Sequence, residues 1–164
     1  MREVRFDDIA ALRSLITEEY GAWGPEVEVT QAMINAFADL TGDHQWIHTD
    51  VERARKEGPF GTTIAHGFLT LSLLGQMRPP ETFKLVGYAN VLNYGSDGLR
   101  FLAPVPSGSR IHARRRLVDV QARPNGTLIV SETATHVVDK DKPSLVYKGM
   151  VLFQPPRSVG RSAG

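Results

Sequence analysis

The sequence predicts an α+β domain in which an antiparallel sheet curls around one buried helix. Three observations carry this expectation. The first half of the chain reads as helices, and the pattern changes to strands from Phe83 onward. The segment Ile64 to Met77 is apolar on nearly every face, and a helix of that kind has to be buried all round. The strands stand at hairpin spacing, which implies antiparallel pairing, and a helix and a sheet with apolar faces share one core. One sheet face lies on the helix. The other face and the edges need cover, so self-association is expected.

Size and composition narrow the class. The chain has 164 residues, enough for one domain. That domain is expected over residues 1–156, with residues 157–164 as a flexible tail lacking apolar periodicity. Hydrophobic residues make up 41% and charged residues 23%, too apolar for disorder along the whole length. Cysteine is absent, which excludes disulfide scaffolds, thiolate metal sites and cysteine nucleophiles. No apolar run approaches the roughly 20 residues of a membrane span. The opening MREVRFDDIAALRSL has acids where a secretory signal has its apolar segment. A cytoplasmic protein is expected, with neither membrane nor nucleic acid as partner. Residues 1–99 hold 8 Lys/Arg and 14 Asp/Glu, whereas residues 100–164 hold 11 and 4. Either the two halves lie against each other and cancel, or the second half presents a basic surface to an anionic ligand.

Taken in order, Thr30 is placed to cap a helix whose apolar positions are Met33, Ile34, Phe37 and Leu40, and Gly42 to stop it. Thr49-Asp50-Val51-Glu52 has the form of a capping box, opening a short helix that ends near Gly58-Pro59. The apolar segment Ile64 to Met77 follows, and Pro79-Pro80 ends it. From Arg110 to Val120, Arg110, His112, Arg114 and Arg116 point one way and Ile111, Ala113 and Leu117 the other, with Arg115 interrupting the apolar face. Pro124-Asn125-Gly126 is a hairpin signal leading into a Thr/Val/Ile-rich strand, Thr127 to Val138. Asp139 to Pro143 turns the chain into a last strand, Leu145 to Phe153.

The densest polar cluster is Thr41 to His48, just past a helix stop. Asp43 and His48 diverge on a straight helix, but across a bend both can face one cavity. A carboxylate and an imidazole aimed at one point hold a water between them and can move its protons, which is general acid–base equipment. Taken singly, each also reads as a turn residue or a half-buried side chain. A metal set of His44, His48 and His66 is disfavoured, because no cysteine supports it and the helix that would align the histidines is broken. No G-x-G-x-x-G, G-x-x-x-x-G-K-[ST] or G-x-S-x-G motif occurs. His66-Gly67 stands at the entrance of the buried helix, where first-turn amides lack internal partners. Gly67 lets an oxygen approach its backbone N–H, as an oxyanion hole requires. Equally, Gly67 eases close packing and His66 caps the helix.

The stretch Phe37-Ala38-Asp39-Leu40-Thr41-Gly42-Asp43-His44-Gln45-Trp46-Ile47-His48 resembles the hydratase signature of the MaoC-like dehydratases, the (R)-specific enoyl-CoA hydratase group. Gly58 to Phe68, with Ala65-His66-Gly67 at its end, resembles that family's second block. His44-Gln45-Trp46-Ile47-His48, Asn93-Tyr94-Gly95 and Leu99 to Pro106 are most similar to the NodN-like subgroup. The resemblance implies a hot dog fold, an antiparallel sheet wrapped around a long central helix, in a homodimer. It implies reversible hydration of a trans-2-enoyl thioester to the (R)-3-hydroxyacyl thioester, carried by coenzyme A or an acyl carrier protein, with no cofactor and no metal. The family's acid–base pair falls on Asp43 and His48, its backbone oxyanion donor on Gly67, and a serine of some members on Ser72. His66, Asn93 and Arg100 are further expected substrate-binding positions. Arg110, Arg114 and Arg116 join Arg100 as candidates for phosphates or an acidic carrier helix. Many members carry Asn-Pro where this chain has Gln45-Trp46, and the indole is expected to narrow the acyl site. Two rival readings stay open: a hot dog thioesterase, which releases free thiol, and a non-catalytic subunit of a heteromeric dehydratase.

Overall fold

The backbone of the central sheet follows from its turns. In a computed structural model, which describes residues 1–156, β5 (Arg110–Arg123) and β6 (Gly126–Val137) pair antiparallel from Ile111↔Val137 to Arg123↔Gly126. The loop between them is therefore Pro124-Asn125. Gly126, at φ 149°, closes it, and a Cβ there would lie 2.1 Å from the Phe153 carbonyl oxygen. β7 (Leu145–Gln154) pairs with β6, and β4 (Asn90–Phe101) with β7. With β2 (Val27–Glu28) the antiparallel sheet runs β2-β5-β6-β7-β4. The alternation expected from Arg110 onward is present: Ile111, Ala113 and Leu117 are buried, and Arg115 is exposed. A bulge between Leu117 and Asp119 adds a residue and keeps Val120 on the buried face.

α2 (Gln31–Thr41) begins where Thr30 Oγ1 accepts from the Met33 N–H and ends at Gly42, which is left-handed at φ 78°. Leu40, expected on its apolar face, is exposed. After α3 (Trp46–Thr49) comes α4 (Val51–Glu57), which is capped by Asp50 rather than Thr49. The Thr49 hydroxyl instead turns back to the His44 and Gln45 carbonyls. The central helix α5 (Gly67–Ser72), extended by a 3-10 turn over Leu73–Gly75, is shorter than the apolar run. Ile64 bridges Pro106 and the Ala65 N–H donates to Val105, so this stretch is tied into a strand-like contact and cannot join the helix. The helix is not buried all round either. Leu69 and Leu73 pack into a core with Ile34, Met77, Ile111 and Ala113, while Phe68 and Ser72 are exposed.

One pair departs from the antiparallel expectation. β1 (Arg2–Arg5) and β3 (Phe83–Val86) form a separate parallel ribbon. A parallel pair needs a long crossover, which no local pattern announces. α1 (Ile9–Arg13) brings Leu12 against Val4, Leu117, Val120 and Ile129 in a second core. Ion pairs Arg110–Glu26 and Arg116–Glu18 join the basic half to the acidic half, so at these positions the halves do cancel. The edge strand β4 leaves Val91, Leu92, Tyr94 and Phe101 exposed. Among the described residues, no helix is long and apolar enough to cross a membrane.

Candidate active site

The left-handed turn at Gly42 sends the chain away from α2, and α3 restarts four residues later; this bend is what aims Asp43 and His48 at one place. The Gln45 N–H donates to Asp43 Oδ1 at 3.3 Å, orienting that carboxylate. His48 is buried, and its Nδ1 lies 2.7 Å from the Ile64 carbonyl oxygen. A carbonyl only accepts, so Nδ1 carries the proton and Nε2 keeps its lone pair. From the first turn of α2, Gln31 Nε2 donates to the His48 carbonyl at 2.7 Å, and the Thr63 hydroxyl in turn donates to Gln31 Oε1.

His66 completes the cluster. Its ring stacks on His48, centroids 3.8 Å apart and planes 26° apart, and its Nε2 lies 2.9 Å from the Asp43 carbonyl oxygen. Ligand-type atoms of Asp43, His48 and His66 all lie within 4.8 Å of one another. The three could offer lone pairs to a cation, but His48 Nδ1 and His66 Nε2 face the Ile64 and Asp43 carbonyl oxygens, so those two nitrogens carry protons. His44, by contrast, is exposed beside Asp39 at 3.8 Å and outside this group.

Gly67 is the first residue of α5, so its N–H has no intrahelical acceptor. It borders a cavity of about 390 Å³ together with His48, Phe60, Phe68 and Phe101. The Phe101 ring rests directly on Gly67: a Cβ there would meet it at 2.7 Å. Burial is the main cause that holds the His48 imidazole below its ordinary pKa, helped by His66 and opposed by the Ile64 bond and Asp43. His48 is therefore neutral at pH 7, with the Nε2 lone pair available.

Thus Asp43 and His48 are brought together with His66, and His48 and Gly67 border one cavity, whose lining does not include Asp43 itself. Ser72, Asn93 and Arg100 are not among the residues that line this cavity. The Ser72 hydroxyl donates to the Phe68 carbonyl on an exposed helix face, and Asn93 and Arg100 are exposed on β4. Arg110 and Arg116 are engaged by acids, and Arg114 lies over the Tyr20 and Trp23 rings. The Trp46 indole lies beneath the Arg53 guanidinium, away from the cavity lining. Sequence reasoning missed Gln31, the Ile64 carbonyl and Phe101. Phe101 and Ile64 carried a signal only through their places in the Leu99 to Pro106 and Gly58 to Phe68 segments.

Residues 16–140 match the family described as MaoC like domain. The 3-hydroxyacyl-thioester dehydratase Z of Mycobacterium tuberculosis (strain ATCC 25618 / H37Rv) is 44% identical over 151 residues, 90% of this chain and 97% of that protein. Nodulation protein N of Rhizobium meliloti (strain 1021) is 40% identical over 157 residues, 94% of each chain. Among solved structures, the monoamine oxidase regulatory protein from Archaeoglobus fulgius superposes with a TM-score of 0.70 at 25% identity, covering 96% of this chain and 98% of that one. The curled sheet on its helix is the hot dog arrangement, and the chain belongs to the MaoC-like dehydratase family.

Proposed function

We propose that the protein reversibly hydrates trans-2-enoyl thioesters to (R)-3-hydroxyacyl thioesters. The observation that carries this reading is the approach of the Asp43 carboxylate and the His48 imidazole to within 4.8 Å, beside the cavity bordered by the Gly67 amide. That separation suits one water hydrogen-bonded to both groups, at about 2.8 Å each. As the water oxygen bonds to C3, the pair takes one of its protons and returns a proton to C2, so that H and OH add across the double bond. Negative charge passes to the thioester oxygen, where the Gly67 N–H stabilises it; a donor so placed is worth about 3–4 kcal/mol. The thioester itself acidifies C2. The name of the Mycobacterium tuberculosis relative, a 3-hydroxyacyl-thioester dehydratase, supports the same reaction class. The carrier is coenzyme A or an acyl carrier protein. A second copy of the chain covering the exposed apolar residues of β4 is part of the proposal, giving a homodimer.

The test supplies crotonyl-CoA and longer enoyl-CoAs and follows loss of the conjugated thioester absorbance. Asp43→Asn and His48→Gln should each lower the rate by about 10²–10⁴ while the thermal midpoint stays near that of the parent. Parent-like rates in both would remove the assignment. Free thiol appearing with a thiol reagent would indicate hydrolysis instead.

A further inference from the structure

We infer that His66 is a positioning residue: one buried side chain that ties the Asp43 loop to the start of α5 and backs the His48 ring without touching substrate. The inference rests on the hydratase reading and replaces the substrate-binding role expected for this position. His66 is 4% exposed. Its Nε2 must carry the proton, because the Asp43 carbonyl oxygen 2.9 Å away can only accept. Its Nδ1 is buried and has no hydrogen-bond partner among the described residues. The opposite tautomer would set a lone pair against that carbonyl and bury an N–H with no acceptor, so the ring is confined to one tautomer and one orientation.

Three consequences converge on the site. The N–H of His66 holds the main chain of Asp43, whose side chain has, among the described residues, only the 3.3 Å Gln45 contact and a distant His66 Nε2, 4.0 Å away, to orient it. The ring face of His66 backs His48 at 3.8 Å, while the Ile64 carbonyl fixes His48 in the reverse tautomer, Nδ1–H. The backbone of His66, extended at ψ 137°, is the N-cap of α5 and thereby sets where the Gly67 N–H points. A residue acting by packing alone would need the ring but not the N–H, so the N–H is the feature to remove.

His66→Phe keeps an aromatic face and deletes the donor; His66→Gln restores a donor at similar reach. His66→Phe should lower kcat by about 10- to 100-fold, as a displaced reacting group does, with KM little changed. His66→Gln should recover a large part of that loss. In the parent protein, ¹⁵N NMR should report His66 with the proton on Nε2 and His48 with the proton on Nδ1, and His66→Phe should shift the His48 ring signals. Parent-like kcat in His66→Phe, a change in KM alone, no recovery in His66→Gln, or the proton on His66 Nδ1 would each overturn the inference. If the parent hydrates no enoyl thioester, the hydratase reading fails, while the tautomer and the His48 shifts still decide the tether. Should His66→Phe not fold, the tautomer measurement and His66→Gln decide it.

Discussion

Gly67→Pro separates the amide of this position from everything else the residue does. His66 sits at ψ 137°, the extended region that a residue before proline prefers, and residue 67 is the first helical position, where proline costs no intrahelical hydrogen bond. Any side chain at 67 meets the Phe101 ring, whose atoms lie 2.7–2.9 Å from an added Cβ. Phe101 is 46% exposed and packs edge-to-face on Phe68 at 5.6 Å, so the ring has room to swing aside at the loss of that contact, about 0.5–1.5 kcal/mol. Gly67→Ala carries the same crowding and keeps the N–H, which makes it the control. Both variants should lose about 1 kcal/mol of stability, or roughly 2–4 °C in thermal midpoint for a chain of this size. Gly67→Pro should then lose a further 10²–10³ in kcat relative to Gly67→Ala, the roughly 3–4 kcal/mol of one oxyanion donor. The assay is the decay of enoyl-thioester absorbance, run beside thermal unfolding. Equal kcat in the two variants would refute the placement of the thioester oxygen at this amide.

Two further outcomes follow from the electrostatics. The folded-state pKa of His48 lies below the ordinary imidazole value, so kcat/KM should stay level down to about pH 6.5 and fall only at more acid pH, a limb that His48→Gln should abolish. His48 and His112 are both depressed chiefly by burial. The unfolded chain therefore binds protons first, so stability is full above about pH 6.5 and falls as pH drops through that value toward the folded-state pKa values. An unchanged urea midpoint between about pH 7.5 and about pH 5.5 would contradict this. Glu132 is nearly buried and accepts from the Tyr20 hydroxyl at 2.8 Å and Arg116 Nε at 2.9 Å. Burial raises its carboxyl pKa, but those two bonds together with the charges of Arg116 and Lys148 outweigh it and hold the group ionised. Glu132→Ala strands the Tyr20 hydroxyl and leaves Arg116 only its exposed partner Glu18, and should cost about 3 kcal/mol. A fall in thermal midpoint of less than about 2 °C would show that Glu18 compensates for Arg116.

Features that depend on neighbours along the chain were legible. The Thr30 cap and the left-handed stop at Gly42 follow from local backbone preference. The hairpin at Pro124-Asn125 and the alternation from Arg110 to Leu117 follow from short spacing. Where two candidates competed, locality misled: Asp50 caps α4 because the Thr49 hydroxyl found carbonyls behind it. Long separations left no trace. The parallel β1–β3 ribbon and the Gln31 strap on His48 join segments whose residues carry no shared pattern. The candidate site was legible as residue types and order, but not as placement: Asp43 lies against His48 without lining the cavity, and Ser72, Asn93 and Arg100 neither line it nor belong to that cluster.

By itself the sequence determined a sheet folded on an apolar helix, and it marked a carboxylate, an imidazole and a glycine amide as a chemically coherent set. Those depend on residue type, periodicity and turn preference, which are local properties. Only the tertiary structure decided that the carboxylate meets the imidazole, that the imidazole and the glycine border one cavity, and that His66 faces the Asp43 main chain and not that cavity. Convergence depends on where α5 starts relative to the bend after Gly42. That is set by packing of α2 and α5 into one core and by hydrogen bonds across the chain, such as His48 to Ile64 and His66 to Asp43. Such bonds draw on groups that every segment possesses, so the pairing is chosen by the folded geometry and leaves no mark in the order of residues.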